Sequence, residues 1–517
     1  MNSILDQQIP NDTAAGPQGP VTEQSLSGDR KWSSYQEEIF SCVRDEGSSI
    51  LVQAVAGSGK TTTIVEAVRR AAGRSLFLAF NKSIAEELRS RIGSAGECKT
   101  LNALGHRLIM QNRPRAQLDM DKLKKIAKRI IPGDDFGDWG YSVIRGVGLA
   151  KNNAVGLDYE PSLQDFTELL DNYLDIPSDV IEKVGGWTKQ AFTLSLQDKD
   201  TFDFDDQLYV PIYENWAYPS FDNVFVDEAQ DLSPIQHLML AAMHDSRIIA
   251  VGDRHQAIYG FRGASHTSMD LLKDRFKMTE LPLSISYRCP QAVVRLAQRY
   301  CPEIQFKEHA NEGSVLNRGD QIDPETQLPF YSDPHLYSEG LVLCRTNGPL
   351  FKAILRHIRA KEPCRVLSNF LDSFQSFVKS LARGRRGGAE AMSSSEALRA
   401  LDRWYDKECQ AADGRRGKLA HLEDKYETVR LLLEEYPTVS ECVEAVRRLA
   451  ASRTGPTFST IHKAKGLETS KVYILRPDLM PSPWAQGSDE LRQEDNLSYV
   501  AITRAIDELT FGVRERR

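Results

Sequence analysis

A glycine-rich loop that carries a lysine and a threonine is the stretch whose residue types most clearly suggest chemistry. It reads AVAGSGKT over residues 54–61 and follows a short apolar run. Such a loop lets backbone N–H groups surround phosphate oxygens, and a helix that starts there adds the positive end of its dipole. Lys60 would bridge the β- and γ-phosphates, and the Thr61 hydroxyl would ligate magnesium. The general pattern begins with glycine where this chain has Ala54, and we expect a small residue to suffice there.

An acidic pair supplies the second half of the predicted site. Asp227 and Glu228 end the apolar run of residues 224–226. Asp227 can hold magnesium through water, and Glu228 can polarise the attacking water. Such a pair alone is more often a solvated strand end. It indicates a nucleotide site here because it follows the phosphate loop in the same α/β unit. The loop residues predicted to bind the triphosphate are Ala56, Gly57, Ser58, Gly59, Lys60, Thr61 and Thr62.

Short apolar runs alternate with amphipathic stretches around both motifs and again later in the chain. The predicted strands lie at residues 50–54, 75–80, 224–226, 248–251, 341–344, 472–475 and 509–513. The predicted helices nearest the loop lie at residues 61–71 and 82–92. Strands that alternate with helices form parallel sheets covered on both faces. The sequence therefore predicts an α/β protein with two cores.

Two charged, mostly helical stretches interrupt these cores. The first contains a basic run at residues 122–129, which has two alternative interpretations: contact with duplex phosphates, or a solvated helix face. The N-terminal residues are polar and rich in Gly, Pro, Ser, Thr and Gln, which is typical of a disordered tail. The predicted division is a tail (1–29), a first core (30–105 and 201–280) with an insertion (106–200), and a second core (281–369 and 453–517) with a shorter insertion (370–452).

Composition restricts the class of protein. The 517 residues carry a net charge of −7 and eight cysteines, none in a C-x-x-C pair. This pattern suggests no zinc or iron–sulfur site and is typical of a reduced, cytoplasmic protein. No apolar run approaches the roughly 20 residues that cross a bilayer, so we expect no membrane partner. The negative net charge argues mildly against nucleic-acid binding, although a large protein can have an acidic outer surface and one basic channel.

Residues 251–264, which read VGDRHQAIYGFRGA, resemble the superfamily 1 helicases of the UvrD/Rep/PcrA group when taken with the DEAQD that precedes them. The further matches, in the family's order, are Tyr35-Gln36 with the glutamine motif, Phe80-Asn81-Lys82 and Thr100-Leu101-Asn102 with motifs Ia and Ib, Ser286-Tyr287-Arg288 with the N-Y-R motif, residues 460–468 with motif V and residues 497–505 with motif VI. The resemblance runs from about Trp32 to the C-terminus and is weak in both insertions. It implies two RecA-like P-loop domains with parallel sheets, each carrying a mostly helical insertion.

The resemblance also implies roles around ATP and Mg²⁺, the expected cofactors. The adenosine contacts would be Gln36 on the adenine edge, Tyr287 on its face and Glu468 on the ribose hydroxyl. Gln256 would sense the γ-phosphate, while Arg288 and Arg504 would act as arginine fingers, which contribute roughly three to five orders of magnitude in other NTPases. Hydrolysis would then close and open a cleft between the cores. The implied catalytic residues are Lys60, Asp227, Glu228, Gln256, Arg288 and Arg504.

A track for a single nucleic-acid strand is implied in the same way. Single strands are held by phosphate contacts and by stacking on aromatic rings, worth about 1–3 kcal/mol per base. Tyr259 and Phe261 lie just past Gln256 and could couple stacking to the nucleotide state. Asn102 stands where a histidine is common. The implied nucleic-acid contacts are Phe80, Asn81, Thr100, Asn102, Tyr259, Phe261, Arg262 and His462.

The resulting expectation is an ATP-driven DNA helicase that moves 3′ to 5′ on single-stranded DNA and unwinds duplex DNA in repair, replication or recombination. The direction rests on the resemblance alone. One alternative is a translocase that strips proteins from DNA, favoured by the short second insertion. Another is a regulatory subunit that uses ATP as a switch, which the complete set of catalytic residues disfavours; an RNA motor is disfavoured by the family only. Because the chain stops soon after motif VI, we expect no nuclease domain.

Overall fold

The computed structural model describes residues 31–512, except for residues 46, 175, 178, 259–266, 319–338, 368–369, 383–387, 389–391, 413–415, 452–453, 484 and 486. The predicted tail of residues 1–29 lies outside the described residues. The chain divides into two units, the first ending at Ser284 and the second beginning at Ile285. This limit lies slightly beyond the predicted limit at residue 280.

Helices and strands alternate along the first unit. Its elements are, in chain order, α1 (Ser34–Asp45), β1 (Ile50–Ala54), α2 (Lys60–Arg70), β2 (Ser75–Leu78), α3 (Lys82–Ile92), β3 (Glu97–Lys99), α4 (Leu101–Asn112), β4 (Gln117–Leu118), α5 (Lys122–Ile130), α6 (Gly133–Asn152), α7 (Leu163–Tyr173), α8 (Ile181–Gln197), β5 (Thr201–Phe202), α9 (Asp206–Tyr213), β6 (Asn223–Val226), α10 (Pro234–Ala241), β7 (Arg247–Gly252), α11 (Ser268–Phe276) and β8 (Thr279–Leu283). A 3-10 helix, Ala229–Asp231, follows β6.

Six of these strands form one parallel sheet in the order β3–β2–β6–β7–β1–β8. The strands β1, β2 and β6 are buried along their whole length, as expected for strands covered on both faces. The carboxyl ends of parallel strands lie at one edge of the sheet, where ligands of such folds bind. The phosphate loop follows β1 and the acidic pair follows β6, with β7 between them. The sheet therefore brings the two predicted motifs to the same edge.

A cluster of buried charges lies within the helical part of the first unit. The Nζ of Lys151 lies 2.8 Å from Asp203 Oδ2 and 2.7 Å from Asp206 Oδ1. The Nζ of Lys122 lies 2.7 Å from Asp206 Oδ2, and all four side chains are buried. Lys122 thus faces the protein interior and is not available to a nucleic acid, whereas other members of the basic run at residues 122–129 are exposed.

The second unit repeats the alternation. Its elements are β9 (Ile285–Ser286), α12 (Gln291–Ala297), β10 (Gln305–Phe306), β11 (Ser314–Asn317), β12 (Leu341–Cys344), α13 (Asn347–Ala360), β13 (Arg365–Leu367), α14 (Phe370–Leu381), α15 (Ser394–Ala411), α16 (Arg416–Glu435), α17 (Val439–Ala451), β14 (Thr457–Thr460), β15 (Thr469–Ile474), α18 (Ser488–Ile502) and β16 (Ala505–Phe511). Six strands form a second parallel sheet in the order β11–β16–β15–β12–β14–β13. The predicted fold class, an α/β protein with two parallel-sheet domains, is confirmed.

The helix α16 of the second insertion is fastened to the start of α13. Asp424 Oδ2 accepts a hydrogen bond from the backbone N–H of Asn347 at 3.0 Å, and Asp424 Oδ1 accepts one from Gly348 N–H at 2.8 Å. Within the described residues, Thr346 at the N-cap position of α13 makes no side-chain capping bond. Asp424 therefore supplies the cap from another helix.

A helix that crosses a bilayer needs about 20 predominantly apolar residues. Within the described part of the chain, no helix has both this length and this hydropathy.

Candidate functional site

The phosphate loop connects β1 to α2 at the carboxyl edge of the first sheet. Gly57 and Gly59 have φ angles of 70° and 77°, which favour glycine because a Cβ is strained there. Lys60 is the first residue of α2, so the N–H groups of the first helical turn point toward the loop. This arrangement can bind an anion through backbone donors. The other predicted loop residues are buried or half-buried: Ala56, Ser58, Thr61 and Thr62.

Gln36, the predicted adenine contact, is buried and bonded to the helix that follows the phosphate loop. Its Nε2 donates to Thr63 Oγ1 at 2.9 Å, and the Thr63 hydroxyl donates to the carbonyl of Gly59 at 3.0 Å. The Oε1 of Gln36 accepts from Ser33 N–H at 3.0 Å. Thr63 was not among the predicted site residues. It fixes Gln36 relative to the loop, which a base-reading residue requires.

The acidic pair lies beside the lysine and threonine of the loop. Thr61 Oγ1 donates to Asp227 Oδ2 at 3.3 Å, and Lys60 Nζ lies 3.9 Å from Glu228 Oε2. Burial and the neighbouring carboxylate of Glu228 raise the pKa of Asp227 to about 7, although Lys60 opposes this shift. The two motifs that are 166 residues apart in sequence therefore meet in one site.

These groups fit a divalent cation. A hydroxyl and a buried carboxylate are hard oxygen ligands of the kind that magnesium takes together with phosphate oxygens and water. Burial and the nearby carboxylate of Glu228 both disfavour the charged form of Asp227, and a bound cation would offset these effects. Glu228 also has a φ of 51°, a conformation that costs about 1–3 kcal/mol for a residue with a side chain and that tends to cluster at functional sites.

Two buried polar residues that the sequence prediction missed extend the site. Gln230 Nε2 donates to Glu228 Oε2 at 2.6 Å, and Gln230 Oε1 accepts from Asp253 N–H at 3.0 Å. Asp253 Oδ2 accepts from Gln256 Nε2 at 2.7 Å, and burial raises the pKa of Asp253. Both residues lie inside motifs that carried the resemblance. Asp253 could have been identified from its position directly after the buried strand β7, and Gln230 from the turn that follows the buried strand β6.

Arg288 and Glu468, assigned to different contacts by the sequence, form an ion pair in the second unit. Arg288 Nη1 also donates to the carbonyl of Thr503 at 3.4 Å. The side chain of Glu468 is about half exposed, and Tyr287 is exposed on its surface. Glu468 was predicted to accept from a ribose hydroxyl, and its carboxylate pairs here with the predicted arginine finger.

Arg504, the second predicted finger, is 1% exposed. Its Nε donates to the carbonyl of Val500 at 2.9 Å, its Nη1 to that of Leu467 at 3.1 Å and its Nη2 to Thr503 Oγ1 at 3.2 Å. Burial, together with the charge of Arg288, lowers the pKa of Arg504 to about 10. The motif predicts the residue but does not predict that its donors are directed to groups of its own unit.

The predicted nucleic-acid residues near α3 and α4 have structural partners. Asn81 Oδ1 accepts from Ile84 N–H at 2.9 Å, and Thr100 Oγ1 accepts from Ala103 N–H at 3.1 Å. Each side chain thus caps the helix that follows it. Phe80, beside the first cap, is 48% exposed, so its ring is accessible for stacking.

Asn102 contacts a residue that the sequence prediction missed. Its Nδ2 donates to the carbonyl of Phe204 at 2.9 Å, and the Phe204 ring is 49% exposed. In the sequence Phe204 is an aromatic residue between two aspartates, a pattern that does not distinguish it from residues of other polar loops. His462 is half-buried in a 3-10 helix, Ile461–Ala464. The predicted contacts that lie outside the described residues are Tyr259, Phe261 and Arg262.

The two parallel sheets, the phosphate loop after β1 and the acidic pair after β6 define a P-loop nucleotide-binding protein of the α/β class. Comparison with family models is more specific. Residues 35–277 match the UvrD/REP helicase N-terminal domain, and residues 273–516 match the UvrD-like helicase C-terminal domain. The chain belongs to the UvrD/Rep helicase family, as its motifs predict.

Relatives cover nearly the whole chain at low identity. F-box DNA helicase protein 1 of Schizosaccharomyces pombe is 25% identical over 94% of this chain and 58% of its own length. F-box DNA helicase 1 of Gallus gallus is 23% identical over 92% of this chain, which spans 48% of that relative. ATP-dependent DNA helicase UvrD2 of Mycobacterium tuberculosis is 26% identical over 93% of this chain and 79% of its own length. A solved structure of arterivirus nonstructural protein 10 (helicase) with DNA has 13% sequence identity and a TM-score of 0.33. The match covers 91% of this chain and 61% of that one.

Proposed function

We propose that this chain is an ATP-dependent DNA helicase that moves 3′ to 5′ on single-stranded DNA and unwinds duplex DNA. The observation that carries the proposal is the series of hydrogen bonds from Glu228 through Gln230 and Asp253 to Gln256. It joins the acidic pair beside the phosphate loop to the start of the segment that the family resemblance assigns to single-strand contact. Such a connection lets the state of the nucleotide alter nucleic-acid binding.

In this proposal the first unit supplies the groups that bind and hydrolyse ATP. The backbone N–H groups of the loop and the ammonium of Lys60 would bind the β- and γ-phosphates. Thr61 and Asp227 would hold magnesium, which when bound neutralises charge on the phosphates. Glu228 would polarise the attacking water, and Gln36 would read the adenine edge.

The second unit would contribute positive charge and adenosine contacts. Arg288 and Arg504 would stabilise charge on the γ-phosphate, and each would exchange its present partners for phosphate oxygens. The ribose hydroxyl would compete with Arg288 for the carboxylate of Glu468, so binding of nucleotide would favour release of this arginine. Tyr287 would stack on the adenine face.

DNA is proposed as the track because the chain shares its motifs with proteins described as DNA helicases. The exposed rings of Phe80 and Phe204 are suited to stack with bases, and Asn102 holds the backbone beside Phe204. The direction of movement and the roles of Tyr259, Phe261, Arg262 and His462 rest on the family resemblance.

Hydrolysis of ATP is expected to rise several-fold when single-stranded DNA is added, because the nucleic acid would bind the segment that follows Gln256, and Gln256 is linked by hydrogen bonds to the acidic pair. A duplex with a 3′ single-stranded tail is expected to be unwound, and a duplex with a 5′ tail is not. Steady-state ATPase assays and strand-separation assays on the two substrates check both statements.

The outcomes separate the alternatives. Unwinding only of the 5′-tailed duplex would reverse the proposed direction. DNA-stimulated hydrolysis without unwinding of either substrate would favour a translocase that strips proteins from DNA. Slow hydrolysis that DNA does not stimulate would favour an ATP-switched regulatory subunit, and stimulation by RNA alone would favour an RNA motor.

Replacing Phe204 by alanine is expected to weaken single-stranded DNA binding about 5–150-fold, because one stacked base contributes about 1–3 kcal/mol. Fluorescence anisotropy with a labelled oligonucleotide measures the change. Tyr141→Ala is the matched control, since Tyr141 is a 73% exposed aromatic residue of the same unit without a proposed contact. An equal loss in both variants would argue against a specific role of Phe204.

A further inference from the structure

A buried serine–histidine pair joins the acidic turn to the start of α11. Ser268, the first residue of α11, is fully buried, and its hydroxyl donates to the carbonyl of Ala229 at 2.8 Å. Ala229 directly follows Glu228. The Nε2 of His237, on α10, lies 2.8 Å from the same Ser268 oxygen. Because the Ser268 hydrogen is used toward Ala229, the oxygen accepts the N–H of His237.

The surroundings of His237 determine which atom donates the hydrogen bond between His237 and Ser268. Burial lowers the pKa of His237 to about 4, and the charge of Arg275 acts in the same sense. The imidazole is therefore neutral near pH 7 and carries one N–H, which the contact with Ser268 assigns to Nε2. Loss of the Ser268 hydroxyl would leave a buried donor and a buried acceptor without this partner, which is unfavourable.

Close packing surrounds the same turn. A Cβ placed on Gly252, at the end of β7, would lie 2.7 Å from Gln230 Oε1 and 2.8 Å from Met269 Sδ. Gln230 belongs to the turn and Met269 to α11, so both approach the β7 backbone with no space for a side chain. A displacement of the turn of residues 229–231 would therefore act on β7 and on α11 together, since packed interiors do not deform freely.

We propose that Ser268 and His237 are positioning residues that couple the nucleotide state at the acidic pair to nucleic-acid binding. The turn is bonded to both flanks of the stretch between Gln256 and Ser268: to Asp253 through Gln230, and to Ser268 through Ala229. The inference rests on the proposed function, which assigns single-strand contact to that stretch. Among the described residues, the serine–histidine pair supplies a link separate from that through Gln230, and it would carry the change at the turn to Ser268, at the far end of the stretch.

The coupling is measured as the ratio of two dissociation constants for single-stranded DNA, one with ADP and one with a non-hydrolysable ATP analogue. Ser268→Ala is expected to bring this ratio about fivefold closer to 1, because one buried hydrogen-bond link is lost. Ser246→Ala is the matched control. Ser246 is buried in the same unit, and among the described residues its hydroxyl has no hydrogen-bond partner, so the ratio should stay that of the wild type.

Variants of the histidine keep the test decisive if Ser268→Ala is poorly folded. His237→Phe keeps a ring without the N–H donor and should bring the ratio closer to 1. His237→Gln keeps an N–H donor and should leave the ratio close to that of the wild type. A wild-type ratio in both Ser268→Ala and His237→Phe overturns the coupling role, as does an equal change in Ser246→Ala. A wild-type protein that binds DNA equally with either nucleotide would instead overturn the proposed function, and the inference with it.

Discussion

Replacing Lys60 by alanine is expected to lower the rate of ATP turnover by at least about 10²–10³-fold, the usual effect of removing one group that stabilises transition-state charge. Lys60 begins α2 beside the phosphate loop, and its ammonium lies 3.9 Å from Glu228. Its charge also opposes the upward shift of the pKa of Asp227. The variant would therefore lose a phosphate contact and leave the acidic pair less able to hold magnesium.

Single-stranded DNA binding by Lys60→Ala should stay close to that of the wild type, because the proposed stacking residues are elsewhere. The matched control is Lys183→Ala, since Lys183 is 53% exposed, lies 3.0 Å from Asp135 and belongs to none of the motifs. Steady-state ATPase rates and oligonucleotide anisotropy are measured on both variants. Wild-type-like hydrolysis in Lys60→Ala would refute the assignment of the nucleotide site.

Replacing Lys151 by methionine is expected to lower the local free energy of unfolding around the buried charges by about 3–5 kcal/mol. Burial by itself lowers the pKa of Lys151, yet the carboxylates of Asp203 and Asp206 outweigh it and raise this pKa. Methionine fills a similar volume but leaves the carboxylates buried without the ammonium. Hydrogen exchange of the backbone amides of α6 and α9 measures the change locally.

This loss of stability should be larger at pH 8 than at pH 5. In the same cluster, burial and the charge of Asp203 raise the pKa of Asp205 to about 6. A carboxyl whose folded pKa is raised contributes stability fully below its unfolded value of about 3.9 and loses it as the pH rises through about 6. Loss of the Lys151 charge removes an interaction that lowers the pKa of Asp205 and of Asp206. These two carboxyls would then protonate more readily, so the variant regains stability as the pH falls.

Lys125→Met is the control for this prediction. Lys125 is 68% exposed and lies 2.6 Å from Asp119, and such an exposed pair contributes little to stability. Equal exchange rates in the two variants, or a Lys151→Met effect that does not vary with pH, would show that the buried charges do not stabilise these helices.

Local patterns account for the parts of the fold that the sequence predicted. The strand β1 is a continuous apolar run and the loop after it is marked by glycines, so both can be recognised without tertiary information. The strand β8 was missed because it reads TELPL, with polar residues and Pro282 inside it. Proline is tolerated where a strand lies at the edge of a sheet, and β8 occupies the edge next to β1.

Contacts between distant residues explain what the sequence could not predict. Lys122 looks like one member of a solvated basic run, and Asp206 like part of an acidic loop, yet they pair across 84 positions. Only the packing of α5, α6 and α9 brings them together. The same holds for Arg504: motif VI identifies the arginine, but its surroundings include the carbonyl of Leu467, 37 positions earlier in the chain, besides that of Val500 in the same motif.

The capping of α13 by Asp424 limits how the second insertion could be shortened or exchanged. A module joined only by its two connections could be removed and the ends closed, leaving the parent sheet intact. Here excision would also strip two backbone N–H groups of their acceptor at the start of a helix that packs on β12. A designer who trims α16 would have to introduce a new acceptor, for instance Thr346→Asp, and chains that diverge in this insertion face the same requirement.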